Sequence, residues 1–339
     1  MPTSISQFAA RALRLSAAYA LALAGAASAH AADECNYKEL AALPLEQAGN
    51  GTAPMILGSI NEKPVKMLFS TGAQLTYVVK AEADRQGLAM SGQRMHMSGM
   101  AGTANTWQAR VRELVVGPTR VSNEYVTVVD GHANSAYGAI IGADFLSQAD
   151  LELALADKQI KFFHADGCKD KGLAYWDAKA LDIPMHAISL KDQRQLFEVE
   201  LNGHKLRAMI SSGLAVSMID LAAAERVGIT PKSDGVLPAG AVAGLHGDKT
   251  AIWSAPFDSF AIGGETIAHP RIRIGEIHKA QWFGREGAEM LLGRDFLQTH
   301  HVLLATSQSR LYYSYLGGQV FMNEPAQRAA APAAEHSEP

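Results

Sequence analysis

The sequence is poor in cysteine, in aromatic residues and in any excess of one charge, and each shortage excludes a class of protein. Two cysteines, Cys35 and Cys168, cannot build a disulfide-rich scaffold across 339 residues. Their spacing matches no zinc motif. The net charge of −4 comes without a Lys/Arg cluster, so nothing points to a nucleic-acid partner. Beyond the first 31 residues no apolar run is long enough to span a bilayer. What is present suits a globular chain. Apolar residues make up 48% and charged residues 19%, and the length fits two lobes with tails.

The N-terminus reads as an export leader over residues 1–31. Arg11 and Arg14 precede an apolar run from Leu15 to Ala27, and small residues around Ala29 and Ala31 offer cleavage sites. The expected location is periplasmic or secreted, with no membrane span after cleavage. In an oxidising compartment Cys35 and Cys168 are candidates to pair, with two free thiols as the alternative.

An internal repeat organises the rest. Residues 60–72, INEKPVKMLFSTG, return as residues 201–213, LNGHKLRAMISSG, 141 positions later. Asn61-Glu62 and Asn202-Gly203 mark tight hairpin turns. Val65 to Phe69 and Leu206 to Ile210 read as buried strands. Each ends on a sharp turn, Ser70-Thr71-Gly72 or Ser211-Ser212-Gly213. Short β runs (75–79 and 216–219) and short helices (81–86 and 221–227) follow, with glycine after each helix. Each copy closes on two apolar residues, a glycine and an Asp-Phe-Leu helix start, at 140–146 and 291–297. Short alternating strands fill the intervals. The resulting division is an N-terminal lobe over 32–168, a linker over 169–195, a C-terminal lobe over 196–323 and an Ala/Pro/Glu-rich tail over 324–339.

This order of strand, hydroxyl-Gly turn, β run and Ile/Leu-Ile/Leu-Gly resembles the retropepsin-like aspartic peptidases, here twice in one chain. The resemblance implies an all-β, bilobal aspartic-peptidase fold of two homologous barrel lobes. It also implies an interlobe cleft under a hairpin flap, and a monomer, because both lobes come from one chain. In that family each lobe brings an Asp-Thr/Ser-Gly turn. Here the aspartate positions hold Ser70 and Ser211, while Thr71, Gly72, Ser212 and Gly213 match.

Two carboxylates sharing a proton supply the family's base and acid. A serine hydroxyl hydrogen-bonds but is no useful base near neutral pH. The expectation is a pseudopeptidase that binds peptide or protein without cutting it and needs no cofactor. The two serine hydroxyls are expected to hydrogen-bond across the lobe boundary. The alternatives are an active aspartic endopeptidase using other groups, and a copper-binding exported protein. Ligand contacts are expected from flap-like positions: His96, Met97 and Gly99 in one lobe, Gly244 and His246 in the other. A flap histidine beside a serine also suggests nucleophilic chemistry, but no third, orienting group is in view. Met95, His96, Met97 and Met100 offer soft ligands suited to Cu(I). Methionines beside a flap also serve as adaptable apolar contacts. Asp144 and Asp295 open short helices, where an acid caps the N-terminus.

Overall fold

The computed structural model describes residues 35–48, 51–99, 102–131, 136–243, 249–277 and 287–321. The expected leader and tail lie outside these residues, as do Met100, Gly244 and His246. The described chain is all-β with four short helices, and its strands form an eight-stranded and a fifteen-stranded sheet.

The repeat folds twice into the same unit. In the first copy the strand Lys63–Phe69 runs parallel to Ala139–Ile141, which pairs antiparallel with Tyr77–Val79. In the second, His204–Ile210 runs parallel to Met290–Leu292, which pairs with Met218–Asp220. The short strands Tyr77–Val79, Ala139–Ile141 and Met290–Leu292 are wholly apolar because both faces are covered, as their unbroken burial shows. Both hairpin turns use positive φ, at Asn61 and Glu62 and at Asn202 and Gly203. Each asparagine also ties its turn to a neighbouring strand. Asn61 Oδ1 accepts from the backbone N–H groups of Arg112 and Glu113, and Asn202 Oδ1 from those of Asp258 and Ser259.

The lobes meet in a six-strand run of the larger sheet. Asn36–Pro44, Gln159–Asp166 and Asp150–Ala154 come from the first half; His300–Ala305, Arg310–Tyr315 and Leu181–Ser189 come from the second. The last of these strands corrects the linker expected over 169–195. Irregular chain ends at Ala180, and Leu181–Ser189 and Asp192–Leu201 are strands of the second lobe. Ile183 and Met185 alternate inward on a strand whose Pro184 obscures the pattern. Cys35 and Cys168 form a disulfide. It fixes the start of Asn36–Pro44 beside the end of Gln159–Asp166, strands already paired along their lengths. One apolar core, including Phe69, Phe162, Phe197, Phe260 and Phe296, extends through both lobes.

Candidate functional site

The two Ser-x-Gly turns sit face to face at the lobe boundary. Each is held from below by its own closing strand: Ser70 N–H donates to Ile141 O, and Ser211 N–H to Leu292 O. The middle residue of each turn then grips the other lobe. Thr71 Oγ1 donates to Ile210 O at 2.6 Å, and Ser212 Oγ donates to Phe69 O at 2.8 Å. In return Thr71 N–H donates to Ser212 Oγ and Ser212 N–H to Thr71 Oγ1, both at 3.1 Å. Four reciprocal bonds between buried groups make one rigid unit of two turns far apart in sequence.

The expected bond between Ser70 and Ser211 is not formed. Among the described residues neither hydroxyl has a hydrogen-bond partner. Each lies over the glycine of the opposite turn: a Cβ at Gly72 would stand 2.5 Å from Ser211 Oγ, and one at Gly213 would stand 2.7 Å from Ser70 Oγ. Glycine is required at both places by close approach. The hydroxyls bridging the lobes belong to Thr71 and Ser212, one residue further on. The first turn position is left as a buried, neutral donor and acceptor.

Asp144 and Asp295 are structural in geometry. Asp295 Oδ1 and Oδ2 accept from Ser217 N–H, Oδ1 also from the Ser217 hydroxyl and Phe296 N–H. Ser217 Oγ accepts in turn from Gly293 N–H. Asp144 makes the same set with Thr76, Phe145 and Gly142. Burial pushes the Asp295 carboxyl above its ordinary value, against the hydrogen bonds from Ser217 and Phe296 that favour its charge.

An antiparallel strand pair follows the turn in each lobe, Met90–Gly99 with Gly102–Val116 and Leu237–Ala243 with Lys249–Pro256. His96, Met97 and Gly99 lie on the outer strand of the first, paired with Asn105, Ala104 and Gly102. Strand alternation divides the soft-ligand set, because His96 projects from the face opposite Met95 and Met97. Met97 packs against an apolar cluster that includes Met55, Tyr77 and Tyr137. Among the described residues no three His, Cys, Asp or Glu side chains converge as for a metal ion.

Other groups at the boundary escaped the sequence reading. Gln74 Nε2 donates to Lys191 O and Ser147 Oγ to Gln193 O, joining the first lobe to the hairpin that opens the second. Beneath Thr71 a cavity of about 20 Å³ is lined by Leu146, Leu151, Arg194, Ile210 and Leu304. Arg194 is buried there and bonded through Nε to Asp192 Oδ1 at 2.8 Å. A charged pair two positions apart in an alternating strand, Asp192-Gln193-Arg194, was the available signal.

Two family models match the chain. One, described as "gag-polyprotein putative aspartyl protease", covers residues 56–148. The other, described as "Aspartyl protease", covers residues 197–296. Each match contains one of the two turns and its closing motif. No curated protein matches the chain.

Proposed function

We propose that this chain, two retropepsin-like aspartic-protease lobes in one polypeptide, is an exported pseudopeptidase that holds an extended peptide between its lobes without cutting it. The observation that carries the reading is the pair of turns. Their reciprocal grip is complete, and on the motif resemblance Ser70 and Ser211 take the positions of the family's aspartates. A positioned general base contributes about 10²–10⁴ in rate. Neither serine replaces one, and Asp144 and Asp295 are committed to backbone and hydroxyl donors behind the turns.

Binding requires none of the missing chemistry. An extended peptide bonds through its backbone and alternates its side chains into pockets. His96, Met97 and Gly99 are the proposed flap contacts, with Gly244 and His246 from the second lobe. The Cys35–Cys168 bridge supports an oxidising compartment, in line with residues 1–31 as a cleaved leader. Both turns come from one chain, so a monomer completes the cleft.

The test is peptide cleavage from about pH 3 to 8 by the native protein beside Ser70→Asp/Ser211→Asp. We expect an inert native protein and an acid-active double variant. Turnover by the native protein that survives rigorous purification defeats the proposal.

A further inference from the structure

Behind the turns, the sheet crosses from one lobe to the other through three residue pairs among the described residues: Leu151 with Leu304, Glu152 with Leu303 and Leu153 with Val302. The middle pair carries a carboxylate with no solvent exposure. Glu152 lies in a strand whose five residues are all buried, a position that ordinarily takes an apolar side chain.

Its surroundings come from four places in the chain. Lys161 Nζ, on the neighbouring strand of the same lobe, is 3.3 Å from Glu152 Oε1. His301 Nε2, on the strand His300–Ala305 of the other lobe, is 3.0 Å from the same oxygen. This approach is close but poorly aligned for a hydrogen bond, so charge is its main content. The segment between the lobes closes over the group: Tyr175 OH accepts from Lys161 Nζ at 2.7 Å, and the Trp176 ring stacks on His301 at 4.1 Å. Trp176 Nε1 donates to Ser314 Oγ, which donates to Asp177. The hydroxyl of Tyr37, on the outermost strand, is pushed upward by burial and by Asp150 and Glu152, and so stays protonated. Asp150 itself is bonded to Ser307.

We propose that Glu152 is an acid-release latch on the junction between the lobes. Ionised, it is the one anion that Lys161 of the first lobe and His301 of the second share, under the cover of Trp176. Protonated, it leaves Lys161 without the anion it faces and His301 with a neutral neighbour, beneath an aromatic lid. The three-pair crossing then loses its central charge contact and the Trp176–His301 stack is released. The direction follows from linkage. Burial pushes the carboxyl up, but the contacts with His301 and Tyr175 and the charge of Lys161 hold it below its ordinary value of about 4.5. Its contribution is therefore present above about pH 4.5 and is lost as pH falls through the lower, folded-state value. The latch is independent of whether the cleft cuts peptides, and its test measures no turnover.

The experiment follows Trp176 emission in the purified full chain from pH 7 to pH 3, with Trp176→Phe to isolate its signal among four tryptophans. We expect a reversible step below about pH 4.5 in the native protein, absent from Trp176→Phe. Glu152→Gln should show the acid-state emission already at pH 7. Glu152→Gln/His301→Gln removes both charges of the cross-lobe contact. It also removes the ring on which Trp176 stacks, so its emission should stay constant from pH 7 to pH 3, and it decides the matter if the single variant fails to fold. An unchanged step in Trp176→Phe, or in the double variant, overturns the proposal.

Discussion

Thr71 and Ser212 carry the junction between the lobes, and their bonds are worth more than their surface equivalents because both partners are buried. Thr71→Val keeps the shape but removes one donor and leaves Ile210 O and Ser212 N–H short of a partner. A buried group left unsatisfied costs about 1–3 kcal/mol. We expect Thr71→Val and Ser212→Ala each to lower stability by about that much in urea unfolding. The double variant should lose less than the sum, because the two hydroxyls share one network. Ser70→Ala should be nearly neutral by the same measurement, since that hydroxyl bridges nothing among the described residues. Equal losses at Ser70 and Thr71 would contradict the division of roles drawn between them.

The two closing helices test whether the repeat is equal in energy as well as in shape. Asp295 and Asp144 hold matching donors, but Asp295 is buried and Asp144 is exposed. Without its carboxylate, Ser217 N–H would be left dry, whereas Thr76 N–H could turn to water. Asp295→Ala should therefore cost about 2–3 kcal/mol and Asp144→Ala about 1 kcal/mol, in thermal or urea unfolding. The short helix Lys80–Gln86 shows the local control on length: Gly87 takes φ 73° and its N–H returns to the last turn. Helix Leu221–Arg226 stops one residue earlier than the sequence suggests, with Val227 as its cap and Gly228 beyond it. Such ends shift by a residue because the final carbonyls choose between competing donors.

At the scale of the molecule, the disulfide is a covalent clasp within the first lobe. It closes a separation of 133 residues and so restricts the unfolded chain strongly. Cys35→Ser/Cys168→Ser should lose about 2–5 kcal/mol, read as a lower urea midpoint with a steeper slope, because the unfolded chain without the bridge exposes more surface. A loss confined to the first lobe would show instead as a second transition, because the bridge joins two strands of one lobe. The paired strands Asn36–Pro44 and Gln159–Asp166 should hold their register in the reduced protein, since backbone bonds run their whole length.

The sequence by itself determined the duplication, the two hairpins, the buried strands and the all-β class. These depend on apolar periodicity and turn chemistry, which act over a few residues and repeat visibly at Asn61 and Asn202, and at Ser70 and Ser211. It also held a serine at the head of each turn. Tertiary structure decided which hydroxyls bridge the lobes, because Thr71 meets Ile210 and Ser212 meets Phe69 only once the copies face each other. It made the choice between paired and free cysteines, and it drew Leu181–Ser189 out of the expected linker by pairing it with Arg310–Tyr315. It alone brought Glu152 against His301. In sequence that pair is an acid in one apolar strand and a histidine at the head of another. Charge attraction and desolvation depend on distance in space, and no local pattern reports that distance.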